Sequence, residues 1–144
     1  MHSPQLFYRL SARAHQLPLR DCVARDVVNL LNCALRGASL DVSSDTPVAS
    51  SVLNFGNPCL LVMGGSRVDP LQLAAPIRHT LALFEPRLQA ARTTVVARQD
   101  TDSAGSTSLY FDVHGLLKPH AASIALRLKL DYLNGLFSWV PEGL

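Results

Sequence analysis

Apolar residues recur along this chain with two different periods, and the change between them divides it into a helical first part and a stranded second part. From Leu19 to Arg36, the residues Val23, Val27, Leu30, Leu31 and Ala34 share one face of a helix, and Gly37 stands where a helix stop belongs. A second helix carries Leu73, Ile77, Leu81, Phe84 and Leu88 at steps of four, four, three and four. Asp69 reads as its N-cap, Pro70 as its first residue and Gln72 as the capping-box partner, while Pro76 predicts either a later start or a kink. Pro86 closes it: the ring has no amide to continue the ladder and pushes Glu85 out of the helical region, so the helix is expected to end at about Phe84.

Beyond that proline the period falls to two. Residues 92–99 alternate Thr93, Val95 and Ala97 with Thr94, Val96 and Arg98, and residues 108–114 set Leu109, Phe111 and Val113 against Tyr110, Asp112 and His114. Residues 123–132 point Ile124, Leu126, Leu128, Leu130 and Tyr132 inward and Ser123, Arg127, Lys129 and Asp131 outward. Asn134-Gly135 then predicts a hairpin turn before Leu136 to Val140. The polar stretches 38–50 and 100–107 read as loops, and so does the segment around Gly64-Gly65. Between them, Ser51 to Gly56 places Val52, Leu53 and Phe55 around Asn54, a residue suited to tying down a loop through its side chain. The expected class is α+β, with two main N-terminal helices packed on a small antiparallel sheet of three to four strands ending in a hairpin. Residues 1–17 read as an N-terminal arm using Leu6, Phe7 and Leu10, and 18–144 as a single domain.

Composition excludes several classes. At 144 residues and 48% hydrophobic the chain can bury a substantial core. A net charge of +2, with basic residues scattered, lacks the footprint of a nucleic-acid binder. Eleven arginines stand against two lysines, Lys118 and Lys129, a bias that protein interfaces favour and that a GC-rich genome gives as well. The longest apolar run, Cys59 to Met63, is too short for a bilayer. The N-terminal residues show no signal-peptide h-region, although their arginines, serines and lack of acids loosely imitate a transit peptide. Cys22, Cys33 and Cys59 are odd in number, form no CxxC and read as buried free thiols of a reducing compartment.

Enzyme chemistries find little support. The carboxylates available for a glycosidase pair are Glu85, Asp112 and Glu142, and Glu85 has Arg87 two residues away as a candidate ion-pair partner. No nucleophile elbow accompanies the cysteines, serines and histidines. His114 and His120 flank a Lys118-Pro119 turn without the ligand spacing of a zinc site, and Gly64-Gly65-Ser66-Arg67 lacks the lysine and hydroxyl of a phosphate-binding loop. What stands out instead is the corner Glu85-Pro86-Arg87, where a stiff bend carries a five-donor guanidinium suited to planar, bidentate contacts. It reads either as a docking corner or as a local ion pair capping the helix end.

Three motifs in order, Asp26-Val27-Val28-Asn29-Leu30-Leu31-Asn32, Ser51-Val52-Leu53-Asn54-Phe55-Gly56 and Phe84-Glu85-Pro86-Arg87-Leu88, followed by alternating strands, resemble the contractile-tail baseplate wedge family. Within it the chain is most similar to the TssE wedge subunits of bacterial type VI secretion systems, over roughly residues 18–140. Two departures are Cys33-Ala34-Leu35 standing before Arg36, where relatives often place a basic residue directly, and an unusually apolar stretch 57–68. The resemblance implies a non-enzymatic structural subunit without cofactor or metal, in the cytoplasm at the baseplate on the inner-membrane side. By the same resemblance, Glu85, Pro86 and Arg87 would dock on the helical core bundle made by the wedge proteins TssF and TssG, with TssK as a further wedge partner. The sheet would face the sheath proteins TssB and TssC through Arg127, Lys129, Phe137 and Trp139, and Asn32, Asn54 and Gly56 would serve as structural motif residues. Strand 123–132 would then either add to a partner's sheet or sit as an ordinary core strand, and Phe137 and Trp139 would be interface anchors or core. Arg87→Ala is expected, on the docking reading, to leave the domain folded. A regulatory adaptor of the anti-adaptor kind, binding a single protein, stays open as the alternative, and self-association in isolation is compatible with either.

Overall fold

The period-two segments pair in chain order into one antiparallel meander of four strands. A computed structural model describes residues 18–33, 46–51, 54–57, 70–99, 108–131 and 134–141. The elements are α1 (Leu19–Asn32), α2 (Pro70–Phe84), a 3-10 turn η1 (Ala90–Arg92), β1 (Thr94–Gln99), β2 (Ser108–Leu117), β3 (Ala122–Asp131) and β4 (Phe137–Val140). The α+β class therefore holds, with two helices on a four-stranded sheet among the described residues. The arm 1–17, Val52, Leu53, Cys59, Gly64, Gly65, Asp69, loop 100–107, Tyr132 and Glu142 lie outside the described residues.

Both helices pack on one face of the sheet, α2 over β1 and α1 over β3 and β4. The buried face is the one that alternation marks: Leu109, Phe111, Val113 and Leu117 from β2, Ile124, Leu126, Leu128 and Leu130 from β3, and Phe137 from β4. Against these lie Val23, Val27, Leu30 and Leu31 of α1 and Leu73, Ile77 and Leu81 of α2. Each fully buried aliphatic side chain of this kind contributes roughly 1.5–3 kcal/mol over its exposed state. Gly115 of β2 faces the same layer, and a Cβ there would sit 3.1 Å from the Thr93 hydroxyl oxygen.

Several boundaries differ from those expected. Helix α1 stops at Asn32 rather than Arg36, because Cys33, whose amide makes the last helical bonds to the Asn29 and Leu30 carbonyls, is itself extended (φ −79°, ψ 125°). Cys33 is consequently exposed, not a buried thiol, whereas Cys22 is buried as expected. Pro76 lies within α2. The first strand starts at Thr94 rather than residue 92, after the short helical turn of residues 90–92, and β2 runs three residues past His114. The hairpin after β3 is longer than a two-residue turn: the Asp131 amide donates to the Leu136 carbonyl, and of the two turn residues only Gly135 takes a positive φ, 70°.

Helix α1 is tied to the sheet at both ends. Near its start, Arg20 donates from Nε and Nη2 to the Ala125 carbonyl at 3.2 and 3.1 Å. At its last residue, the Asn32 side chain accepts from the Phe137 amide at 2.7 Å and donates to the Phe137 carbonyl at 2.9 Å, as a neighbouring strand would. The Asn57 amide group donates to the Leu31 carbonyl at 3.2 Å, and the Asn57 backbone donates to Cys33, which satisfies carbonyls that a helix end leaves open. Asn54 anchors its own loop through the Ala49 carbonyl, 3.0 Å away, and Gly56 beside it holds φ 146°, a conformation that side chains rarely adopt.

Candidate functional site

The corner after α2 is a four-residue turn in which the Leu88 amide donates to the Glu85 carbonyl at 3.1 Å, with Pro86 at the position where its fixed φ suits the bend. The turn is then stitched to the end of β2: the Gln89 amide donates to Leu116, the Lys118 amide donates to Arg87, and Leu88 bridges Leu117. Pro86 is exposed, but its two charged neighbours turn inward, with Glu85 at 3% and Arg87 at 6% exposure. This departs from the expectation that both are presented on the bend.

Burial is possible because the charges meet. Arg87 Nε and Nη2 donate to the two oxygens of Glu85, each at 2.6 Å, in a side-on fork, and the same Nη2 donates to Asp26 Oδ2 at 2.6 Å. The sequence reading of an Arg87–Glu85 pair was thus half of the arrangement, and Asp26 of α1, 61 residues upstream of Arg87, is the part it missed. A signal was present. Asp26 sits among Cys22, Val23, Val27 and Leu30 on the apolar stripe of α1, and a carboxylate at such a position needs a partner to be buried.

Two carboxylates share one guanidinium, and the electrostatics follow from that count. Burial opposes the charge on Arg87, yet its hydrogen bonds and attraction to Glu85 and then Asp26 hold it firmly protonated. Burial pushes the Asp26 carboxyl above the ordinary carboxylate range, the Glu85 charge adds to that push, and Arg87 only partly offsets it. In the folded protein Asp26 therefore binds its proton more tightly than in the unfolded chain. Stability is then expected to rise as pH falls from neutral through the raised Asp26 value toward about 4, the unfolded value. Asp26→Asn keeps an acceptor for Arg87 and removes the excess charge, so it should abolish that rise and cost less than about 1 kcal/mol at neutral pH. Melting temperatures of both proteins between pH 4 and 7.5 test this; parallel curves would show that Asp26 is not the group responsible.

A second cluster lies on the open face of the sheet. Asp112 is 5% exposed although it points away from the helices, because Arg127, directly opposite on β3, and Arg98 on β1 close over it at 2.8 and 2.6 Å. Burial alone would raise its carboxyl, but the hydrogen bonds and charges of Arg127 and then Arg98 hold it below the usual range. Neither carboxylate cluster has the raised acid beside a free partner that glycoside hydrolysis needs. Among the described residues no group of three or more metal-ligating side chains assembles, and no helix is long and apolar enough to cross a membrane.

The remaining expected site residues separate by position. Arg127 is half-exposed and Lys129 partly exposed on the outer sheet face. Phe137 is a core residue, 3% exposed, its ring 6.1 Å from that of Phe111. Trp139 packs partly against the core with its indole N–H buried and without an acceptor among the described residues. β3 lies between β2 and β4, so over Arg127–Leu130 it is an interior strand, and the edge belongs to β4. Because Leu136 and its alternate neighbours direct their backbone groups at β3, Phe137 and Trp139 direct theirs away; Asn32 takes those of Phe137, leaving Trp139 at the edge of the described sheet.

A protein-family model described as Baseplate wedge protein gp25 matches residues 18–121, from the residue before α1 to the turn before β3. That stretch contains Asp26, Asn32, the 51–56 loop and the whole corner, and stops short of the last two strands. No curated protein matches the chain.

Proposed function

The chain belongs to the gp25 family of baseplate wedge proteins, structural parts of contractile injection systems, and from that membership we propose that it is the TssE-like wedge subunit of a type VI secretion baseplate. It docks on the TssF/TssG wedge core, beside TssK, and templates the first ring of the TssB/TssC sheath. One observation carries the reading: the Asp26–Arg87–Glu85 lattice locks the Glu85-Pro86-Arg87 corner to α1, so that the bend has one shape before any partner arrives. A preformed corner avoids the ordering cost that a flexible one would meet on binding. In this role Glu85 and Arg87 hold the shape from within. Contact falls to exposed Pro86, to Leu83 at the helix end, and to Phe55, whose ring packs edge-on against Phe84 at 5.4 Å. The outer sheet face, with Arg127 and Lys129, and the β4 edge at Trp139 turn toward the sheath, where strand addition supplies register-specific pairing.

Co-expression with TssF and TssG from the same cluster tests this. Wild type should co-purify with them, and Leu83→Gln/Phe55→Gln, two exposed positions outside the buried lattice, should lose at least tenfold of the captured partner while melting within a few degrees of wild type. Absence of capture by the wild-type chain would refute the wedge assignment and favour the single-partner adaptor.

A further inference from the structure

We infer that the outer face of α2 is a groove for a partner helix bearing acidic side chains, an inference that rests on the wedge reading and specifies the chemistry of its partner. Ala75, Arg78, His79 and Ala82 recur at steps of three, one and three on the face opposite buried Leu73, Ile77 and Leu81. Ala90 and Ala91 of η1 form the other wall of a groove of about 450 Å³.

Its shape argues for a helix. All six lining residues are exposed, so a small ligand would stay too open to solvent, whereas drug-sized molecules bury most of their surface in their sites. Four of the six are alanines, and methyl-sized side chains let a second helix approach near the short end of the usual 8–10 Å separation.

Its charge argues for acidic residues on that helix. Pro70–Phe84 and Ala90–Arg92 carry Arg78, His79 and Arg92 and no acid at all. The nearest carboxylate along the chain, Glu85, is buried and committed to Arg87. Arg78 and Arg92 make no ion pair among the described residues. A face with fixed positive charge and no internal counter-charge selects a negative partner and rejects a positive one. The groove also runs into the corner: Ala82 precedes Glu85 by three residues, less than one helical turn. A partner helix seated there would continue directly onto Leu83 and Pro86.

The test uses the full chain with TssF and TssG. Ala82→Phe fills the groove and Arg78→Glu reverses its charge, both at exposed positions where the melting temperature should not move. Each is expected to reduce captured partner at least tenfold, and capture by wild type should fall with added salt while the residual capture by Arg78→Glu does not. Unchanged capture by both variants, alongside loss in Leu83→Gln/Phe55→Gln, would overturn the groove and leave the wedge reading standing. No capture by wild type would overturn both.

Discussion

Replacing Arg87 by alanine is expected to destabilise the isolated domain strongly, the opposite of what a freely presented docking arginine would do. The substitution strands Glu85 and Asp26 together, two buried carboxylates with no cation between them, and breaking a buried pair in this way costs about 3–5 kcal/mol. Whole domains are stable by only about 5–15 kcal/mol, so a loss of that size is a large share of the total. The melting temperature should fall by roughly 10–20 °C for a chain of this length. Arg87→Lys should recover only part of the loss, because an ammonium cannot make the side-on fork to Glu85 and reach Asp26 as well. The effect should also shrink in the Asp26→Asn background, where one of the stranded charges is gone. Urea titrations followed by circular dichroism measure all three. An Arg87→Ala protein within about 1 kcal/mol of wild type would mean that the lattice is not a stabilising element, and would return Arg87 to the role of a direct contact.

Phe137→Ala is expected to cost about 3–5 kcal/mol, the range for emptying a buried aromatic site. The ring lies tilted against Phe111 on the sheet's inner face, and its backbone is held by Asn32, so the space it leaves cannot close easily. Arg127→Ala on the opposite face should cost no more than about 1 kcal/mol, since Asp112 keeps Arg98 and the guanidinium is half in water. The pair of variants separates core from surface on strands that are neighbours. If Phe137→Ala melts like wild type while sheath binding is lost, the residue acts as an interface anchor and the core assignment fails.

Much of the architecture is legible in the residue pattern, because burial in helices and sheets repeats with periods that depend only on local geometry. The inward set on β2 and β3, the stop at Phe84 imposed by Pro86, and the α+β class follow from that repetition. So does the baseplate wedge family, since its motifs are contiguous in the chain. Where α1 stops was not legible, because an extended Cys33 with Asn57 folded back on the helix end is a contact between segments far apart in sequence.

The candidate site divides along the same line. Glu85 and Arg87 as a pair were readable, being two residues apart, and so was the stiffness that Pro86 brings. Their inward direction depended on Asp26, and that Arg20 and Asn32 clamp α1 to strands 105 residues away depended on how the layers stack. Alternation likewise assigned Asp112 to the outer face but could not show it buried there, since Arg98 and Arg127 converge on it only through strand register. The sequence by itself determined which elements form, which faces they bury and where the corner bends, because those follow from local backbone preferences and periodicity. Only the tertiary structure decided which charges are internal struts and which remain for a partner, because pairing a buried charge requires side chains that distant segments bring together.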